Sequence, residues 1–136
     1  MSVEIRPAVD ADIDAVLALW ERAAQPTTTD DADAVAALLR HDAGALLVAE
    51  DSGEVVGSVI AGWDGWRGSI YRLSVAPVRR RQGLGRRLLA AAEDRLHGLG
   101  VRRMHAIVVG ADDRAVAFWR TSDWEHQDGQ LRFARG

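Results

Sequence analysis

Apolar and polar positions alternate over residues 3–7, Val-Glu-Ile-Arg-Pro, and the alternation stops at Pro7. A period of two closed by proline predicts a short first strand. The period then lengthens. Ile13, Val16, Leu17 and Trp20 recur at helical spacing behind Asp10 and Asp12, either of which can cap a helix. That helix is expected to end near residues 23–31, where Pro26 and the threonines break the pattern. A second helix is expected over residues 31–41 with Val35, Leu38 and Leu39 inward, after which Asp42-Ala43-Gly44 turns the chain.

Three apolar runs follow, at 45–50, 55–63 and 69–75. They are divided by Asp51-Ser52-Gly53-Glu54 and by Asp64-Gly65-Trp66-Arg67-Gly68, and such turns between short runs predict an antiparallel meander. Beyond Pro77 the helical period returns, with Leu84, Leu88, Leu89, Ala92 and Leu96 on one face and Gly98 and Gly100 as stops. Residues 101–109 read as a strand. A last helix places Ala115, Phe118 and Trp119 on one face, with Asp112 or Asp113 near its cap. Residues 124–127 and 131–134 are expected to close the chain as a hairpin about Asp128-Gly129. The predicted order is strand, two helices, three strands, helix, strand, helix, two strands. That is a mixed α/β (α+β) chain, expected to form one domain over residues 1–136.

Composition narrows the chemistry. The 136 residues suit one core, and a net charge of -3 does not mark a polyanion-binding surface. Nucleic acid is therefore not an expected partner. The absence of cysteine removes disulfides, thiolate metal sites and a thiol nucleophile. The four histidines have no metal-ligand spacing, so no metal is expected. There is no 18-residue apolar run and no signal-peptide pattern at the N-terminus, so no membrane contact and a cytoplasmic location are expected. All 17 basic residues are arginine, which leaves no lysine for a Schiff base or a phosphate loop. Genomic composition bias is the plain reading of that fact.

Against the acidic background, five of those arginines crowd between Arg79 and Arg87, around Gly83 and Gly85. A strand, a glycine-bearing loop and a helix start make an anion site. The first N–H groups of a helix lack internal partners, and its dipole adds about half a positive charge there. Glycine lets a phosphate approach the backbone, and arginine adds donors. Backbone amides at about residues 81–86 are thus expected to bind a pyrophosphate. A Walker loop is excluded for want of lysine, and the dinucleotide fingerprint lacks its third glycine, since Leu88 stands there. A basic helix cap with solvated arginines accounts for the arginines, but not for the strand, Pro77 and both glycines together.

The strand Tyr71-Arg72-Leu73-Ser74-Val75, then Pro77, then Arg80-Arg81-Gln82-Gly83-Leu84-Gly85 and an amphipathic helix, resembles motif A of the GCN5-related N-acetyltransferases, whose R/Q-x-x-G-x-G/A loop binds the pyrophosphate of acetyl-CoA. The resemblance covers nearly the whole chain. It implies a central, mostly antiparallel twisted sheet of about seven strands flanked by four helices, splayed between strands 4 and 5. It implies acetyl-CoA as acetyl donor, held by Leu73, Ser74, Val75, Arg80, Arg81, Gln82, Gly83, Leu84, Gly85 and Arg86, with Leu73–Val75 pairing pantetheine like an added strand. The segment 111–124 is similar to a later motif, N-x-x-A-x-x-x-Y-x-x-x-G-F. It sets Asp112 at the asparagine, Ala115 at the alanine, Trp119 at the tyrosine and Asp123-Trp124 at the Gly-Phe, and keeps only the alanine. Asp112 and Trp119 are carried over as cofactor-binding positions. Indole N–H is a far poorer acid than phenol, so Trp119 cannot protonate a leaving thiolate as the tyrosine is thought to do. Packing against pantetheine or the core is its alternative.

The resemblance also implies a primary amine as acceptor, from a small molecule or a peptide, attacking the thioester directly. A degenerate module that binds acyl-CoA without transfer is the alternative reading, and a homodimer is a form common among relatives. Where relatives carry a glutamate base, this chain has Ser69 and Ile107. Tyr71, Asp64, Glu50 and His105 are the candidate bases, each with a plain alternative as core, turn, solvated or strand residue. The hairpin Gly62–Val75 is similar to small bacterial acetyltransferases of unassigned substrate, which favours Asp64 and Tyr71 as catalytic and Arg67 as substrate-contacting. Trp20, Trp63 and Trp66 are candidate acceptor-pocket residues, with core packing for Trp20 and an exposed turn for Trp66 as alternatives. The acidic residues of the first helices suit a cationic amine, although a solvated face explains most of them.

Overall fold

The computed structural model describes residues 2–23 and 29–136. These fall into two compact units, one ending at Ala106 and the other spanning Ile107–Gly136. The first carries β1 (Val3–Pro7), α1 (Ile13–Ala23), α2 (Ala32–His41), β2 (Leu46–Asp51), β3 (Glu54–Trp63), β4 (Gly68–Val75), α3 (Leu84–Gly98) and β5 (Met104–Ala106). Short 3-10 turns sit at Asp10–Asp12 and Pro77–Arg79. The second unit carries α4 (Asp113–Arg120). The helix break expected at Pro26, Thr27 and Thr28 lies outside the described residues.

The sheet order is β1-β2-β3-β4-β5. The first three pairings are antiparallel and the last is parallel. The meander follows from its turns. Ser52 and Gly53 both adopt positive φ (52° and 85°), the geometry a two-residue hairpin loop requires. At the next turn Asp64 Oδ1 accepts from the N–H groups of Trp66 and Arg67, each at 2.8 Å. β5 pairs in parallel because it returns by way of α3, and such a crossover reverses the chain direction.

Neighbouring residues of a strand face opposite sides of the sheet. Ser58 of β3 meets Trp20 of α1, whose indole N–H donates to its hydroxyl at 2.8 Å. A Cβ at Gly57 would come 2.8 Å from Leu88 of α3. α1 and α3 therefore cover the two faces. The α3 face is the one its periodicity predicts: Leu84, Leu88, Leu89, Ala92 and Leu96 are all buried. The helix ends at Gly100 (φ 84°), where Gly100 N–H donates to His97 C=O at 3.0 Å and Val101 N–H to Leu96 C=O at 3.0 Å. On the other face Val16, Leu19 and Trp20 of α1 pack with Val35 and Leu39 of α2 over Leu46, Val48 and Val55. Asp31 caps α2 by accepting from Ala34 N–H at 2.8 Å.

Three expectations are corrected. Among the described residues there are five strands, not seven, and the sheet is mixed. Residues 124–127 and 131–134 form a turn about Asp128-Gly129 but no strands. Leu131 and Phe133 are 82% and 89% exposed, and a lone hairpin that buries no apolar face has little to hold it. The strand read over residues 101–109 is reduced to Met104–Ala106.

Arg6 ties β1 to the start of α1. Its guanidinium grips Asp12 in two bonds of 2.8 and 2.9 Å and Glu50 Oε1 at 2.7 Å. Asp12 also accepts from Val9 N–H at 2.8 Å. The Arg6 hydrogen bonds hold the Asp12 carboxyl below the usual carboxylate range, helped by Val9 N–H. A lowered folded pKa gives stability that is present above the unfolded value, near 4, and lost as pH falls through the folded value. Asp12→Asn is expected to cost about 2 kcal/mol at neutral pH. In urea melts the gap to wild type should stay constant above about pH 5 and shrink below about pH 4; a pH-independent gap would contradict this assignment.

Candidate functional site

The loop expected to bind an anion lies between β4 and α3. The pairing of β4 closes with Ala76 N–H donating to Val56 C=O at 2.9 Å, and the 3-10 turn follows. Arg81 (φ 65°) and Gly83 (φ 78°) are left-handed, and Gly83 is the N-cap of α3. Arg87 N–H closes the first turn on Gly83 C=O at 3.2 Å. The amides of Leu84 and Gly85 have no intrahelical acceptor and face outward from the helix start. A Cβ built on Gly83 would meet nothing within 4 Å, so the ground above this cap is open. Arg81, Gln82, Gly83 and Arg86 are exposed, while the Leu84 side chain is buried and only its backbone faces the loop.

The five arginines divide. Arg79 donates to Asp51 Oδ2 at 2.6 Å, a bond that lowers the Asp51 pKa. Arg80 reaches Ala23 C=O at 3.2 Å and Arg87 reaches Val3 C=O at 3.1 Å. These three fasten the loop and the first turn of α3 to β2, α1 and β1.

β4 leads into this loop with an open edge. β5 pairs it only at Gly68, Ser69 and Ile70. From Tyr71 to Val75 that side of β4 meets no strand among the described residues. The other side of β4 carries a bulge. Ser58 pairs Ser74 and Ile60 pairs Tyr71, so Arg72 and Leu73 stand opposite Val59 alone. Arg72 takes up the extra length at φ 51°, which costs a residue with a Cβ about 1–2 kcal/mol. Its surroundings hold it there. Ser58 Oγ donates to Arg72 C=O at 2.9 Å. The guanidinium pairs with Asp30 and lies 5.1 Å above the Trp20 ring. The bulge thus turns the backbone where the free edge begins.

The other predicted residues are dispersed. Tyr71 is 52% exposed on the Ile60 side of the sheet. Ser69 shares that side and hydrogen-bonds His105 of β5, Oγ to Nε2 at 3.0 Å. Trp20, 3% exposed and with its N–H used, belongs to the core, so it cannot line an open acceptor pocket. Trp66 is 70% exposed, with the Arg67 guanidinium 4.1 Å from its ring centroid. Trp63 is at the margin of exposure on the same hairpin. The Asp64 carboxylate braces that hairpin, and the N–H groups of Arg67 and Trp66 lower its pKa. A low proton affinity suits a turn brace and not a base. Glu50 is taken up by Arg6. In the second unit Asp112 caps α4 by accepting from Ala115 N–H at 3.1 Å. Trp119 stands edge-on to Phe118 and Trp124, with ring centroids 5.6 and 4.9 Å away.

A groove of about 450 Å³ lies between α1, at Ala15 and Ala18, the β2–β3 turn and Pro77-Val78. It contains none of the predicted site residues. The candidate site is instead a strand edge running into a helix start. Among the described residues no cluster of His, Cys, Asp or Glu is arranged to hold a metal ion. The Ser58–Trp20–Arg72 linkage was not legible beforehand, because it joins residues far apart in sequence through a register shift that local patterns do not encode.

The chain is similar to known proteins in sequence and in fold. The model of the acetyltransferase (GNAT) family matches residues 12–123. Acetyltransferase SG1711 of Sodalis glossinidius is 35% identical over 131 residues, covering 95% of this chain and 92% of that one. Acetyltransferase ECA0875 of Pectobacterium atrosepticum is 36% identical over 128 residues, covering 93% and 90%. Among solved structures, Ard1 from Thermoplasma volcanium superposes with a TM-score of 0.79 at 21% identity, covering 88% of this chain and 80% of that one. The aminoglycoside N-acetyltransferase AAC(6')-Iy, solved in complex with CoA, superposes with a TM-score of 0.76 at 18% identity, covering 99% and 95%.

Ser58→Ala tests the support of the bulge. It would leave the buried Trp20 N–H without its acceptor and Arg72 C=O without its donor. A loss of about 2 kcal/mol is expected in chemical denaturation, and an unchanged midpoint would show that the bulge needs no such support.

Proposed function

This chain belongs to the acetyltransferase (GNAT) family, and on that premise we propose that it moves the acetyl group of acetyl-CoA to a primary amine by direct attack within a ternary complex. One observation carries the reading: α3 starts at a left-handed glycine whose neighbouring amides face open ground, and an unpaired stretch of β4 leads straight to it. In this reading the diphosphate of the donor rests on the amides of residues 82–85, with Arg81 and Arg86 adding positive charge. Arg80 contributes by position, since its guanidinium also reaches α1. The pantetheine arm pairs with Leu73, Ser74 and Val75 as an added strand. The bulge aims a backbone N–H at the thioester oxygen, where it stabilises the charge that develops as the amine attacks.

Alignment supplies much of the rate, because amine and thioester are held together on one face. Coenzyme A leaves as a thiolate of modest basicity, comparable to a free thiol at ~8.5, so no strong acid is required. Trp119 has no acidic proton to offer and serves by packing. Thioester aminolysis calls for no metal. Relatives of the fold act on aminoglycosides, as their names state; here the acceptor class is a small-molecule or peptide amine. No helix among the described residues is long and apolar enough to cross a membrane, and we place the reaction in the cytoplasm. The family match runs through both compact units, which supports reading the chain as one acetyltransferase domain.

Two outcomes test this. Incubation with acetyl-CoA and a panel of small amines and free peptide N-termini should release thiol with at least one acceptor. Binding of CoA with no release for any amine would instead make the protein a binding module. Gly83→Asp should weaken CoA binding at least about 100-fold, through bulk and charge at the diphosphate seat. Its cost to folding should be only about 1–2 kcal/mol, because a side chain at φ 78° is strained but meets no atom. Retained affinity in the folded variant would displace the diphosphate from this loop.

A further inference from the structure

We propose that His105, held by Ser69, is the proton acceptor for the incoming amine; this rests on the transferase reading above. The two residues are register partners at the β4–β5 pairing, one step before it ends at Ile70 and Ala106. Their side chains meet at 3.0 Å, and the imidazole is solvent-exposed. Tyr71, two residues along β4 on the same side and 52% exposed, lies between this pair and the bulge. The pair therefore stands on the α1 face of the sheet, beyond Ile60 and exposed to solvent, at the point where β4 and β5 cease to pair.

The hydrogen bond suits a base. With Nε2–H donating to Ser69 Oγ, the Nδ1 lone pair is left to take a proton. The resulting imidazolium keeps its bond to Ser69, because both ring nitrogens are then donors. Neither Asp64 nor Glu50 offers this, since one braces a turn and the other is held by Arg6. β4 is the strand paired with β5, and its titratable or charged side chains are Tyr71 and Arg72; Arg72 is committed to Asp30. On β3, Gly62 pairs with Ser69 and carries no charge.

The step balances as follows. A primary ammonium gives one proton to Nδ1, directly or across one water, and its freed lone pair forms the C–N bond. The C–S bond breaks with its electrons on sulfur. The second N–H proton goes to the thiolate or to solvent, giving an amide and coenzyme A, and the imidazolium returns its proton to solvent.

The test compares wild type with His105→Gln and Ser69→Ala, using whichever amine of the panel releases thiol fastest. His105→Gln should lower kcat about 100-fold near neutral pH, with CoA affinity by calorimetry unchanged. The loss should shrink as pH rises through the pKa of the amine, because a free amine needs no base. Ser69→Ala, which frees the ring to turn, should lower kcat by less than His105→Gln does, converge on wild type at the same high pH, and leave CoA affinity unchanged. An equal loss at every pH, or no loss, would overturn the assignment while leaving the transferase reading intact. Thiol release by no amine in the wild type would remove the reaction itself, and the assignment with it.

Discussion

The structure turns on a small group of backbone amides that folding leaves without partners. The first turn of any helix has unspent N–H groups, and most helices satisfy them with a side-chain cap or water. Here the cap is Gly83, which has no side chain to offer and sits in the left-handed region. The amides remain for an external acceptor. The neighbouring contacts keep that arrangement from drifting. Arg79, Arg80 and Arg87 fasten the loop and helix start to three other elements, and Leu84 and Leu88 anchor the first turns of α3 in the core. A ligand arriving there meets a seat whose ordering cost is already met by the fold.

The same logic extends along β4. A strand edge in a soluble protein is a hazard unless it is covered or used. β5 covers this one for three residues only. The bulge at Arg72 changes the backbone direction near the start of the uncovered stretch. The strain of its positive φ is offset by Ser58 below, Trp20 beside and Asp30 at the guanidinium. Strain held from several directions at the start of an open edge suits the strand-like pairing proposed for the pantetheine arm.

Much of this was legible in the sequence, for physical reasons that differ by element. The α3 face could be read because five apolar residues at helical spacing admit one burial solution. The meander could be read because Ser52-Gly53 and Asp64-Gly65 dictate tight turns. The position of the loop could be read because Pro77 and Gly83 break the strand just before a helical period begins. The side-chain roles were harder. Trp20 looks the same in sequence whether it lines a pocket or fills a core, and only its bond to Ser58 decides. Asp64 as base and Asp64 as turn brace differ in where two N–H groups point. Ser69 and His105 were each visible, but their meeting depends on a parallel register set by a crossover, which no local pattern carries. The C-terminal hairpin failed for a related reason: alternation permits a strand, but exposed Leu131 and Phe133 give it nothing to pack on.

The central claim is that the amides at the start of α3 hold a diphosphate while the β4 edge guides a thioester arm. Titration calorimetry of coenzyme A against pantetheine, which has the arm but lacks the diphosphate, tests it most directly. The account predicts clear binding of coenzyme A and affinity for pantetheine weaker by at least about 100-fold. Equal affinity for the two, or no heat with coenzyme A from a folded sample, would contradict it.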